Sequence, residues 1–207
     1  MSTGPTRPST PSRRMGQLSL LTLALLALPL VPPALAQTAP ATSPAPASAP
    51  TGDRGAIEAI TVTSNQGYSI RVPGGWTPLK NVPGADVAFV NQTVGQLRPT
   101  VTVLVQDIPA DLKATLADVR DLNARKMPEV VPNLKMLGEK TVRVSGQNAI
   151  LWSYSGDGDG GKVRWTQVFT LRNNRLYTVT LVTPTGTPQA LLDSGRAIID
   201  SFALTAR

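Results

Sequence analysis

The sequence predicts an α+β fold built on an antiparallel sheet. Runs of β-branched and aromatic residues follow one another with only short turns between them. Two stretches with helical spacing are inserted among these runs. The densest run, residues 147–182, contains two of the three tryptophans and two of the three tyrosines and reads as a meander. Strand runs in series with two inserted helices argue for an antiparallel sheet with helices packed on it.

The ordered domain is expected to begin between Gly55 and Tyr68. Residues 56–63 fit either a first strand or a short helical lead-in. Residues 68–72 follow the turn signal Asn65-Gln66-Gly67 and read as a strand. Pro73-Gly74-Gly75-Trp76 breaks it, because proline removes a ladder donor and glycine permits a sharp turn. Trp76 has two readings, folding back onto the core or stacking on a ligand or partner. Residues 87–91 and 100–107 are the next strands; in the second, Val101, Val103 and Val105 alternate with Thr100, Thr102 and Leu104.

Asp111 is placed as the N-cap of the first helix, with Leu112, Leu116, Val119 and Leu122 on its apolar stripe and Arg125 and Lys126 in its last turn. Pro128 is expected to end it. Asp121 and Arg125 have the spacing of an (i, i+4) pair. Residues 134–144 read as a strand or a bent pair, and the turn around Ser145-Gly146-Gln147 admits two or three residues. The second helix starts near Pro188, with Leu191, Leu192, Ile198, Ile199 and Phe202 on one stripe. Gly195 weakens that helix by about 1 kcal/mol relative to alanine and would allow close approach to the sheet.

Within the meander, a two-residue turn at Asn173-Asn174 sets Arg172 opposite Arg175, Phe169 opposite Thr178 and Trp165 opposite Val182. A Gly-rich loop over residues 156–161 would set Ser155 opposite Lys162 and Trp152 opposite Trp165. With the period of two, Ile150, Trp152, Tyr154, Val163, Trp165, Phe169, Leu171 and Leu176 then share one face. The other face mixes Leu151, Val168, Tyr177, Val179 and Leu181 with threonine and arginine, so something should cover part of it.

Residues 1–36 read as a secretory signal peptide: Arg7, Arg13 and Arg14, then an apolar run over residues 18–30, then Ala34-Leu35-Ala36 before Gln37. The apolar run is short for a span, which needs about 20 residues. The chain is therefore expected to be exported, periplasmic or extracellular, with a membrane connection only through an uncleaved signal. Residues 37–54 are rich in Pro, Ala, Ser and Thr and read as a disordered linker. The folded domain is expected over residues 55–207. Hydrophobic residues make up 41% of the 207, enough for one sizeable core.

Cysteine and histidine are absent, which excludes disulfides, thiolate metal sites and histidine acid–base chemistry. Without the three signal arginines, 17 basic residues face 13 acidic ones, a net +4. That is no nucleic-acid footprint. Asp157 and Asp159, in Gly156-Asp157-Gly158-Asp159-Gly160-Gly161, resemble half of a calcium loop. An EF-hand needs a Glu at its twelfth position, where Val168 stands, so a turn is the plainer reading and no cofactor is expected beyond weak calcium. A phosphate cradle needs a helix after the glycines, and a strand follows. Asp107, Asp111, Asp118 and Asp121 read as a solvated face, and Ser153 and Ser155 have no histidine partner. Lys162, Arg164, Arg172 and Arg175 flank the meander's turns. They read either as a solvated rim or as a docking patch for an acidic partner or anionic polymer.

Gln66-Gly67-Tyr68-Ser69-Ile70-Arg71-Val72-Pro73-Gly74-Gly75-Trp76 resembles the opening of PsbP-like domains. The turn within residues 142–149, the aromatic meander and Ile198-Ile199-Asp200-Ser201-Phe202 fit the same family. Arg98-Pro99-Thr100-Val101-Thr102-Val103 is similar to the segment before the first helix in LpqN-type and DcrB-like envelope proteins. The resemblance spans roughly residues 67–204. It implies an α/β/α sandwich: a central antiparallel sheet of about six strands and two main helices on its faces. It also implies a non-catalytic binding or accessory module acting on a protein or envelope component. Photosynthetic PsbP proteins are accessory subunits of photosystem II, but their functional histidines have no counterpart here. Lipoprotein relatives are anchored by a cysteine that this chain lacks. The alternatives are a small-ligand carrier, with an apolar cavity between sheet and helix, and a hydrolase using Asp or Ser–Lys chemistry.

Overall fold

The computed structural model describes residues 58–206. The expected signal peptide and the linker over residues 37–54 lie outside the described residues. In chain order the elements are β1 (Ile60–Ser64), β2 (Tyr68–Val72), β3 (Thr77–Pro78), β4 (Val87–Val90), β5 (Thr100–Asp107), α1 (Leu116–Val130), β6 (Lys135–Val144), β7 (Gln147–Gly158), β8 (Gly161–Arg172), β9 (Arg175–Pro184), α2 (Gln189–Asp200) and β10 (Ala203–Leu204). Residues 60–64 are therefore a strand, which resolves the ambiguity of the N-terminal segment.

The main sheet has seven strands in the order β3-β4-β5-β9-β8-β7-β6, and a second sheet has three, β1-β2-β10. Every strand pair is antiparallel. The sheet is larger than the expected six strands because the two-residue β3 extends one edge beyond β4.

Among the described residues two main cores form, one on each face of the main sheet, with a small third cluster of Leu97, Val163 and Val182 beside Trp165. On one face, Trp152, Tyr154, Phe169 and Leu176 pack with Val119, Met127 and Val131 at α1. On the other, Val168, Tyr177, Val179 and Leu181 pack with Leu191, Ile198, Ile199 and Phe202 of the α2 region and with Tyr68, Ile70 and Val72 of β2. The mixed face of the meander is thus covered by α2 and the small sheet together.

The Asn173-Asn174 turn has φ of 52° and 56°, and its register is as expected: Arg172 opposes Arg175 and Trp165 opposes Val182. The other turn is tighter than expected. Gly158 pairs with Gly161, so only Asp159-Gly160 turn, and Trp152 faces Gln167 rather than Trp165. Trp165 instead faces Tyr154 and stacks on it at 5.2 Å between centroids. The slip is two residues, so every side chain keeps its face. Val144 pairs with Gln147, which makes Ser145-Gly146 a two-residue turn. Residues 135–144 form one strand with an irregularity between Met136 and Gly138.

The first helix starts later than expected. Asp111 lies in a 3-10 turn, Ala110–Leu112, and Lys113 then adopts φ 43°, which breaks a helical path. Thr115 is the N-cap: its Oγ1 accepts from the Asp118 amide at 3.2 Å, and the Asp118 carboxylate accepts from the Thr115 amide at 2.9 Å. This reciprocal pair satisfies two end donors that Asp111 could not reach. Pro128 does not end the helix, which runs on to Val130, and the Val131 amide closes it on Met127. Proline removes one donor only, and burial of Met127 and Val131 holds the last turn in place. Asp121 pairs with Arg120, not with Arg125.

Candidate functional site

The site begins from three small residues in register across the sheet. Gly138 opposes Ser153, and Ser153 opposes Thr166. This row leaves a depression on the α2 face between taller neighbours, and a Cβ placed on Gly138 would meet nothing within 4 Å. The second helix does not fill it, because α2 packs over β9 and β2. Trp76, 6% exposed, sits in the α2-side core and donates its indole N–H to Ser194 Oγ of α2 at 2.9 Å. Gly195 allows the helix to approach: an added Cβ would lie 2.8 Å from a methyl of Leu181.

The result is a groove of about 400 Å³ whose lining includes Leu137, Lys140, Leu151, Arg164, Arg196 and Asp200. Three cations and one carboxylate converge there. Among the described residues none of the three cations enters a salt bridge; Arg164 donates to Ser153 Oγ at 3.1 and 3.2 Å. Such a surface attracts anionic groups and offers them donors.

Of the four cations singled out in the sequence, Arg164 alone lines this groove; Ser153, weighed there as a nucleophile, lines it as well. Lys162 pairs with Asp157 at 3.2 Å at the hairpin tip. Arg172 and Arg175 stand at the far end of β8 and β9. The 12-residue β8 is roughly 40 Å long at 3.3 Å per residue, so the four cations form two groups rather than one patch. Arg172 donates to the Thr205 carbonyl at 3.1 Å, and Arg175 grips Asp107 with two nitrogens and reaches Gln66. The latter pair therefore ties the β1–β2 turn and the C-terminal segment to the main sheet. A small pocket of about 160 Å³ lies among Gly67, Asp107, Arg172, Arg175, Tyr177 and Thr205.

The Asp157 carboxylate accepts from Asn133 Nδ2 at 2.6 Å and from Lys162, which together hold it below the ordinary aspartate range. Asp159 is exposed at the turn. Among the described residues no group of three or more His, Cys, Asp or Glu comes together. The four helix-side aspartates disperse: Asp107 binds Arg175, Asp118 caps α1, Asp121 binds Arg120, and Asp111 sits in its separate turn.

Lys140 and Arg196 are missed by sequence reasoning. Lys140 opposes Leu151, so its face was readable once the Ser145-Gly146 turn was known. No local signal connects it to Arg196 of α2.

Among the described residues no helix is long and apolar enough to cross a membrane. The PsbP family model matches residues 61–204. No curated protein matches the sequence. Solved structures similar in fold include the following three. Cyanobacterial PsbP (CyanoP) from Synechocystis sp. PCC 6803 is 20% identical, with TM-score 0.56, covering 75% of this chain and 98% of its own. LpqN of Mycobacterium tuberculosis, described as involved in cell envelope biogenesis, is 16% identical, with TM-score 0.52 and coverage of 72% and 91%. The Saccharomyces cerevisiae Ran-binding protein Mog1p is 13% identical, with TM-score 0.51 and coverage of 72% and 96%.

Proposed function

The chain belongs to the PsbP family, and from that premise we propose that it is an exported, non-catalytic binding module whose α2-side groove docks a protein or envelope component. The observation that carries this reading is the convergence of Lys140, Arg164 and Arg196 on one open groove without ion-pair partners among the described residues. The signal-like N-terminus and the Pro/Ala-rich linker support export and a tethered domain. Similarity in fold to LpqN, whose description places it in cell envelope biogenesis, supports an envelope setting. The reading calls for no cofactor. Crosslinking followed by capture from the native envelope tests it. The unaltered chain should retain a partner that a folded Lys140→Glu/Arg196→Glu variant loses. Turnover by the purified chain in a broad hydrolase screen would count against it.

A second reading, a small-ligand carrier, draws on another surface. An apolar groove of about 560 Å³ lies between β1 and the β3–β4 segment, lined by Ile60, Val62, Leu79, Val82, Val87 and Phe89. It is not the sheet–helix cavity expected of a carrier. Displacement of an apolar fluorescent probe from that groove would favour this reading.

A further inference from the structure

We infer that the free edge of β6 receives an extended acidic segment of a protein partner, which adds an eighth strand to the main sheet and sets a carboxylate beside Lys140. This rests on the binding-module reading and names the chemistry of its partner.

The edge is available. Among the described residues β6 ends the main sheet and is bonded to β7 alone. Because Ser145-Gly146 closes on the pair Val144–Gln147, Val144, Val142 and Lys140 turn their backbone groups towards β7. Glu139, Thr141 and Arg143 then turn theirs outwards. Among the described residues no backbone hydrogen bond reaches that outer side. An unpaired row of this kind is a template for another strand.

The side chains choose the occupant. Met136 and Leu137, 45% and 43% exposed, lie at the irregular end of the same strand, and Leu137 also lines the groove. A second copy of the chain pairing β6 on β6 would point its own Gly138, Lys140 and Val142 to the α2 face, which sets cation near cation there and supplies no carboxylate to the groove. An acidic segment reverses that sign. A strand added about 4.8 Å beyond β6 points alternate residues to the α2 face, the face that carries Lys140. A carboxylate placed there meets Lys140 and has Arg164 and Arg196 across the groove. The bare Gly138 leaves room for its neighbour two residues along. An anionic polymer without strand geometry would use the cations but leave the outward backbone groups and Leu137 uncovered.

The test uses the full chain and three probes: a labelled peptide of alternating Val and Glu long enough to span β6, its Val/Lys counterpart, and inorganic polyphosphate. The Val/Glu peptide should bind by fluorescence anisotropy and slow amide exchange at Glu139, Thr141 and Arg143; the Val/Lys peptide should not. Lys140→Glu/Arg196→Glu should weaken binding about tenfold or more. Thr141→Pro should abolish it without unfolding the domain, since that N–H makes no ladder bond. Peptide binding unchanged in a folded Thr141→Pro, or without protection of those three amides, overturns the inference. The amide readout on the unaltered chain decides the matter even if the proline variant does not fold. Polyphosphate binding that depends on Lys140 and Arg196, with no peptide binding, overturns strand addition and leaves the binding-module reading standing. No probe bound and no partner captured from the envelope overturns both.

Discussion

The carboxylate of Glu139 holds two elements at once. It accepts from the indole N–H of Trp152 at 2.8 Å and from the Arg120 guanidinium of α1. Trp152 is 1% exposed, so its N–H has no ready access to water. Glu139→Ala should therefore destabilise the fold by about 1–3 kcal/mol, the cost of stranding a buried donor, read from denaturant unfolding. Tyr154 is the converse. Among the described residues its buried hydroxyl has no hydrogen-bond partner, and burial pushes its pKa up. Tyr154→Phe should leave stability unchanged or raise it by up to about 1 kcal/mol; a clear loss in the same assay would contradict this. Asp118 responds to acid. Its hydrogen bonds with Thr115 hold its carboxyl below the ordinary range. A depressed carboxylate contributes stability above the free value near 4 that is lost as pH falls through the folded value. Melting temperature should fall with acid in that window, and Thr115→Ala should flatten the dependence. The Asp118 cap was hidden in plain sight. The sequence carries Thr115 three residues before an acidic side chain, but Asp111 offered a competing start, and only the Lys113 backbone at φ 43° separates the two.

At the scale of elements, two glycines mark where a strand comes too close for a side chain to a helix, at Gly195, or to the segment that follows one, at Gly156. At Gly195 the nearest atoms to an added Cβ all belong to the Leu181 side chain, its two methyls at 2.8 and 2.9 Å and its Cγ at 3.4 Å. At Gly156 it meets Val131 Cγ1 at 2.5 Å and the backbone oxygen of Pro132 at 2.8 Å. Overpacking typically costs about 1–3 kcal/mol, whereas alanine gains about 1 kcal/mol in a helix interior. Gly195→Ala should thus end slightly destabilised and Gly156→Ala more so, because a backbone carbonyl cannot turn aside as a methyl can. Equal losses in the two variants would refute that ranking. The close approach at Gly195 was readable from a glycine in the middle of an apolar stripe. The one at Gly156 was not, because there the glycine sat in a run that read as turn.

For the whole molecule, one sheet separates two main cores, and each has tryptophan reporters: Trp76 on the α2 side, Trp152 with the half-buried Trp165 on the α1 side. The strands between them contribute alternate residues to both, so neither core can open alone without baring the other's floor. Fluorescence and far-UV circular dichroism should therefore follow coincident unfolding transitions; separate midpoints would show that one face opens first. By itself the sequence determined the α+β class, the turn at Asn173-Asn174 and the division of the meander into two faces. Those rest on local signals, and a period of two survives even a two-residue error in a turn, as the Asp159-Gly160 hairpin shows. Only the tertiary structure decided the strand order, the pairing of β10 with β2, and the offset of α2 that leaves Gly138, Ser153 and Thr166 uncovered. It alone brought Lys140 to Arg196. The placement of a helix on a sheet follows from burial summed over distant segments, and no stretch of chain carries that information locally.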